Sequence, residues 1–148
     1  MPNWLKNKRL QRILIIAVCL VIYYVTENPG GYLPSGSSGD QALNHAIVNQ
    51  LSDVQVTTEA TILKDLPDDN RGSRHQRFLI RIDSGDVILV AHNIDLAPYV
   101  PDIRKGQPIK VSGEFEWNDK GGVIHWTHHD PRGKHIDGWI DYQGKRYQ

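Results

Sequence analysis

The chain has one cysteine and one methionine among 148 residues, and no overall excess of charge, with 17 basic and 17 acidic side chains. A single cysteine excludes an intrachain disulfide framework and a zinc site built from cysteines. Four of the cations (Lys6, Lys8, Arg9 and Arg12) lie in the first 26 residues, which contain no acid. The rest of the chain has 13 cations and 17 acids, a formal charge of −4. That balance excludes a generally basic nucleic-acid binder.

Long apolar runs are also scarce, and the main one, residues 13–25, directly follows the four cations. This order is typical of a secretory signal or a signal anchor. As a helix the run would span about 20 Å, less than the roughly 30 Å hydrocarbon core, which favours a cleaved signal peptide. No small-x-small cleavage site follows, however, and Tyr23 and Tyr24 suit a membrane interface. Those features favour an uncleaved anchor that contacts the membrane through residues 10–26.

The composition divides the chain into three parts. Residues 1–26 are predicted to be a signal anchor or signal peptide, and the Gly-, Ser- and Pro-rich residues 27–40 a flexible linker. Residues 41–148 are predicted to form one domain, because an apolar content of 39% suffices for a packed core. We expect an inner-membrane protein with this domain in the periplasm, or, if the signal is cleaved, a protein secreted to the periplasm.

The domain begins with helical spacing and continues with strand-like alternation. Asp40 is a candidate helix cap, and an apolar stripe with helical periodicity follows it at Leu43, Ala46, Ile47 and Leu51. Strands are predicted over residues 54–64, 75–83, 86–93, 107–117 and 123–129, with a polar loop at 66–74 and a bulge or bend at Gly113. The predicted fold is mainly β, a small five-stranded OB-like barrel preceded by one amphipathic helix and followed by a small C-terminal hairpin over residues 138–148 that turns at Gln143-Gly144.

A two-residue turn at Ser84-Gly85 is predicted to set the register of the second and third strands. It would place Arg77 opposite His92, with His75, Arg77, Arg81 and His92 on the outer face. The core face would combine alternate residues of both strands, namely Gln76, Phe78, Ile80, Ile82, Val87, Leu89 and Ala91. If Ile124 and Trp126 point into the core, His125, Thr127 and His129 of the fifth strand face outward. An OB barrel pairs its third strand with its fifth, which would place these residues beside His92.

Six of the seven histidines lie between residues 75 and 135, which indicates a polar site on the outer face of the barrel. The candidate ligand-binding residues are His75, Arg77, Arg81, His92, His125, Thr127 and Asp130. A divalent metal such as zinc is a candidate cofactor, with ligands from His75, His92, His125 and His129. The alternatives are a metal-free polar site, or histidines that only hydrogen-bond the backbone.

Several sequence motifs resemble those of a bacterial family known only as a domain of unknown function. They are "RHQRF", "AHNIDLAP", "GGVIHWTHHDPRGKH" and "GWI…GKRYQ", and the resemblance covers residues 54–148. It implies an exported bacterial protein and no particular chemistry.

Three classes of function remain open on the sequence. The favoured one is an envelope binding module of unknown ligand, because no complete catalytic constellation is present. The alternatives are a metal- or histidine-dependent hydrolase, for example of phosphodiesters, and a structural or assembly partner. Single-stranded nucleic acid is a further candidate ligand, but the acidic balance disfavours it.

Overall fold

The structure, a computed structural model, describes residues 38–148. The predicted signal or anchor segment, with almost all of the predicted linker, lies outside the described residues. Within residues 38–148, no helix is both long enough and apolar enough to cross a bilayer.

One helix and seven strands make up this described part of the chain. They are α1 (Ser38–Val48), β1 (Val54–Asp69), β2 (His75–Ile82), β3 (Val87–Asn93), β4 (Pro108–Glu116), β5 (Val123–His125), β6 (Trp139–Tyr142) and β7 (Lys145–Tyr147). The prediction of a mainly β fold with one short preceding helix is confirmed.

The strands form one sheet in the order β1-β2-β3-β5-β4-β6-β7, and β1 also pairs with β4. The first half of β1 lies antiparallel to β4, with Val54 opposite Phe115, and the second half lies antiparallel to β2. β5 is parallel to β3, with Ile124 opposite Val90, and antiparallel to β4. The pairings β1–β2–β3–β5–β4 therefore return to β1.

Helix α1 packs against β1 through a short apolar stripe. Leu43 and Ala46, three positions apart, are both fully buried. The helix begins at Ser38, so Asp40 lies in its first turn instead of capping it, and accepts a hydrogen bond of 2.6 Å from the Thr58 hydroxyl. Leu51 lies beyond the helix end and is 38% exposed, so its predicted place in the stripe is wrong.

The predicted register of the β2–β3 hairpin is wrong by one residue. His75 pairs with Asn93, and Gln76 pairs with His92, because Ile82 donates to the Asp86 carbonyl across a turn of three residues, Asp83, Ser84 and Gly85. Opposite residues share a face, so this shift exchanges the faces of β3. The core face of β3 consists of Ile88, Val90 and His92, while the predicted core residues Val87, Leu89 and Ala91 point outward. The core face of β2 is as predicted.

Two other local predictions are also corrected. β1 continues to Asp69 through irregularities after Ile62 and Leu66, so the predicted loop at 66–74 starts later. Gly113 pairs regularly with Val56 and forms no bulge. It is needed for close packing instead, because a Cβ there would collide with the His125 carbonyl of β5.

Candidate functional site

Two adjoining clefts open on the outer side of β2, β3 and β5. The first has a volume of about 290 Å³ and is lined by Asp69, His75, Arg77, Leu89, Ala91, Val123 and His125. The second has a volume of about 270 Å³ and is lined by Ser73, His75, Asn93, Leu96, His125, Trp126, His128 and Arg132. His75 and His125 line both, so the clefts form one surface, which we call the two-cleft face. Each cleft is near the lower limit of small-molecule pockets, about 300 Å³.

The β1–β2 ladder positions the first cleft. His75 pairs with Asp69 at the end of β1, where the strand is irregular. The Arg77 guanidinium donates two hydrogen bonds to the Pro67 carbonyl, at 3.0 and 2.8 Å. The His75 imidazole donates from Nδ1 to the Ser73 carbonyl at 2.8 Å. Backbone contacts thus hold both side chains at the cleft.

His92 belongs to the core and not to this face. Its side chain is fully buried. Nε2 lies 3.1 Å from the Pro98 carbonyl, which can only accept, so Nε2 carries the proton and Nδ1 accepts from the Thr127 hydroxyl at 2.8 Å. Burial lowers the pKa of His92 to about 4. The predicted placement of His92 on the outer face is therefore wrong.

Strand β5 ends earlier than predicted, at His125. Trp126 has a φ of 51°, a left-handed conformation that bulky residues rarely adopt, and it breaks the alternation of the strand. As a result Thr127 turns inward, where it is fully buried against His92, instead of pointing outward as predicted. Trp126 is only partly buried and its ring stacks on His135 at 3.7 Å between centroids.

Asp130 organises the loop that carries His135. Its carboxylate accepts hydrogen bonds from the backbone N–H groups of Arg132, Lys134 and His135, at 2.9, 2.6 and 2.9 Å. These bonds, led by those from Arg132 and His135, lower the pKa of Asp130 to about 2. The carboxylate is therefore ionised and engaged within its own loop.

A cluster of carboxylates and imidazoles lies where β4 and β5 pair, and we call it the Glu–His cluster. It consists of Glu114, Glu116, His125 and His135. His125 Nε2 lies 3.6 Å from Glu114 and 3.8 Å from Glu116, and His135 Nδ1 lies 3.2 Å from Glu114. Burial lowers the pKa of His125, and the two carboxylates oppose that shift.

The structure thus brings three of the seven candidate ligand-binding residues together, since His75, Arg77 and His125 all line the first cleft. Arg81 is exposed but lines neither cleft. Of the candidate metal ligands, only His125 lies in the Glu–His cluster. His129 is exposed and donates from Nδ1 to Asp137 at 2.7 Å.

The sequence-based site did not include Glu114, Glu116, Arg132 or His135, all of which line the clefts or belong to the Glu–His cluster. The sequence did contain a signal for the two glutamates. The turn at residues 118–122 predicts a hairpin between β4 and β5, and in a hairpin the side chains of alternate residues lie on the same face. In that hairpin Glu114 lies opposite His125. No comparable pattern marks His135, which reaches the cluster from an irregular loop.

Comparison with known proteins identifies a family but no function. A search of curated proteins finds no match. The family model described as "Protein of unknown function (DUF3465)" matches residues 31–148, which include every residue of both clefts and of the Glu–His cluster. The chain therefore belongs to this family of proteins of unknown function.

Proposed function

We propose that residues 41–148 are an OB-like binding module that holds an anionic ligand on the two-cleft face. The observation that carries this proposal is that His75 and His125 line both clefts and make them continuous. The circuit β1–β2–β3–β5–β4–β1 supports an OB-like barrel. In that fold, the outer face around the second and third strands is a common ligand platform.

The side chains on the two-cleft face favour an anion. Arg77 lines the first cleft and Arg132 lines the second, while Asp69 is the acid among the lining residues. Two of the five N–H groups of Arg77 donate to the Pro67 carbonyl, and Nη1 lies 3.9 Å from Asp69, too far for a hydrogen bond, so donors remain for a ligand. Imidazoles and the Trp126 ring supply further polar and stacking contacts. The ligand class we propose is a phosphorylated or carboxylated small molecule or oligomer.

We further propose that this module is exported and tethered to the inner membrane. The support is the order of four cations, an apolar run and a Tyr pair in residues 1–26, with no small-x-small cleavage site. Fractionation of cells that express the full chain tests this. We expect the full-length protein in the inner membrane, whereas a soluble form that starts near residue 27 would reject the anchor and a cytoplasmic form would reject export.

Binding to the two-cleft face is tested with inorganic phosphate as the probe. Full-length protein, stripped of metal and held in detergent micelles, is titrated with phosphate while NMR chemical shifts are followed. Arg77→Ala and Arg132→Ala should each weaken binding about tenfold, which corresponds to about 1.4 kcal/mol for a lost charge-assisted hydrogen bond. Arg104→Ala is the matched control, because Arg104 is 70% exposed and lines neither cleft. An equal effect of all three substitutions, or no saturable binding, would reject the proposal.

A metal-dependent hydrolase is the second candidate function. The observation that favours it is that His125 belongs both to the Glu–His cluster and to the two-cleft face. A cation there would lie beside the anion held by Arg77, the arrangement that metal-assisted hydrolysis of phosphodiesters requires. Turnover of a chromogenic phosphodiester that is lost in Glu116→Gln would support this candidate over a purely binding role.

A further inference from the structure

We propose that Glu114, Glu116 and His125 bind one divalent transition-metal ion, for which Zn²⁺ is the probe. One ligand atom from each residue lies within 4.8 Å of the other two, and no other group of three such side chains in residues 38–148 meets that distance. This set shares only His125 with the ligands expected from the sequence. The inference does not depend on the proposed anion binding.

The distances between these atoms suit a shared ion. For metal–ligand bonds of about 2.1 Å in tetrahedral geometry, neighbouring ligand atoms are separated by roughly 3.4 Å. His125 Nε2 lies 3.6 Å from Glu114 Oε1 and 3.8 Å from Glu116 Oε1. Small side-chain rotations would therefore bring all three atoms into coordination.

Two paired strands hold the three side chains. Glu114 and Glu116 are two residues apart on β4, so they share a face, and Glu114 lies directly opposite His125 on β5. Gly113 allows β5 to approach β4 closely, as described above. A site built on paired strands needs little ordering when an ion arrives.

The unmet bonding capacity of the cluster points to a cation. His125 Nε2 is buried and has no hydrogen-bond partner, the single such side-chain atom in residues 38–148. Buried polar atoms without a partner are costly, and a coordinated ion would satisfy this one. The His125 Nε2 contacts of Glu114 and Glu116, at 3.6 and 3.8 Å, are longer than hydrogen bonds, and within the described chain neither carboxylate pairs with a Lys or Arg.

His135 is a positioning residue for this site. It hydrogen-bonds Glu114 Oε2, the oxygen that does not face His125, and so orients the carboxylate. Stacking on Trp126 and the hydrogen bonds that Asp130 accepts hold His135 in turn. One imidazole nitrogen and two carboxylate oxygens are a donor set that Zn²⁺ accepts, and they leave a fourth position open.

The test is a titration of metal-stripped full-length protein in detergent micelles with Zn²⁺, in competition with a chromophoric chelator. We expect one ion per chain, and Glu116→Gln and His125→Gln should each weaken binding at least about tenfold. The matched controls are Glu59→Gln and His129→Gln, an exposed carboxylate and an exposed imidazole outside the cluster, and both should bind Zn²⁺ like the wild type.

Thermal unfolding separates loss of the site from loss of the fold. Without metal, Glu116→Gln should unfold at the wild-type temperature or slightly above it, because the substitution removes repulsion between two carboxylates. Added Zn²⁺ should raise the unfolding temperature of the wild type and not that of Glu116→Gln. If the wild type binds no Zn²⁺, or if Glu116→Gln and His125→Gln bind as the wild type does, the proposal is overturned. Should His125→Gln fail to fold, the isosteric Glu116→Gln decides the question alone.

Discussion

Burial gives two histidines of this domain opposite roles. His92 and Gln76 face each other inside the core, and both hold the connection between β3 and β4. His92 donates to the Pro98 carbonyl, and the Gln76 amide exchanges two hydrogen bonds with the backbone of Val100. His125 instead faces outward with an unpartnered nitrogen. The sequence therefore contains two buried imidazoles, His92 and His128, and several that are partly or fully exposed.

The pH dependence of stability should reveal His92. Its pKa is about 4 in the folded state and about 6.5 when unfolded, so the unfolded chain binds more protons between these values. The contribution of neutral His92 to stability is fully present above pH 6.5 and is lost as pH falls to about 4, which lowers the free energy of unfolding by about 3 kcal/mol. Urea unfolding of the wild type, of His92→Asn and of the exposed control His45→Gln measures it. If His92→Asn loses as much stability as the wild type over this range, His92 is not buried as described.

Phe78 and Arg77 test the two faces of β2. Phe78 is fully buried, so Phe78→Ala should lower the free energy of unfolding by about 3–5 kcal/mol. Arg77→Ala loses hydrogen bonds to Pro67 at a partly exposed position and should cost no more than about 1 kcal/mol. Chemical denaturation of both variants gives the comparison, and equal losses would contradict the assignment of faces.

At the scale of elements, the close approach of β4 and β5 depends on Gly113. A Cβ at this position would meet the His125 carbonyl and the Thr127 side chain, so Gly113→Ala should destabilise the fold by about 2 kcal/mol or more. Gly85→Ala is the informative comparison, because Gly85 has open space but a φ of 94°, which costs an alanine about 1 kcal/mol. Denaturant midpoints rank the two variants, and a smaller loss in Gly113→Ala would contradict this packing.

The strands themselves could be predicted from the sequence, but the register of β2 and β3 could not. The alternation of polar and apolar residues predicted the core face of β2, because Arg77 and Arg81 both fall on the opposite face. In β3 both faces are apolar, with Ile88 and Val90 on one and Val87 and Leu89 on the other. Only the turn length could decide between them, and a three-residue turn reverses the choice that a two-residue turn predicts.

The residues of the candidate site that lie on regular strands could be placed from the sequence. His75, Arg77 and His125 follow from strand periodicity and from the expected pairing of the third and fifth strands, which the structure confirms. Thr127 and Asp130 were misplaced because an aromatic residue, Trp126, takes up a left-handed conformation and redirects the chain. No local sequence signal predicts that conformation for tryptophan.

At the scale of the whole described domain, strand β1 contacts β2, β4 and α1. It pairs with β4 in its first half and with β2 in its second half, and it supports α1. The Asp40–Thr58 hydrogen bond ties the helix to the strand. This arrangement leaves the outer side of β2, β3 and β5 uncovered by α1, β6 or β7 among the described elements, and the two clefts open there.

A ligand that binds this uncovered face should contact the histidines of the two clefts and leave the core histidine, His92, unaffected. The most direct measurement is a nitrogen–proton NMR correlation spectrum of the histidine side chains in the metal-stripped full-length protein, recorded as inorganic phosphate is added. We predict that the signals of His75, His125 and His128, which line the clefts, shift in a saturable manner. The signals of buried His92 and of His45 on α1 should remain in place. Shifts at His92 or His45 without shifts at His75 and His125 would contradict the account.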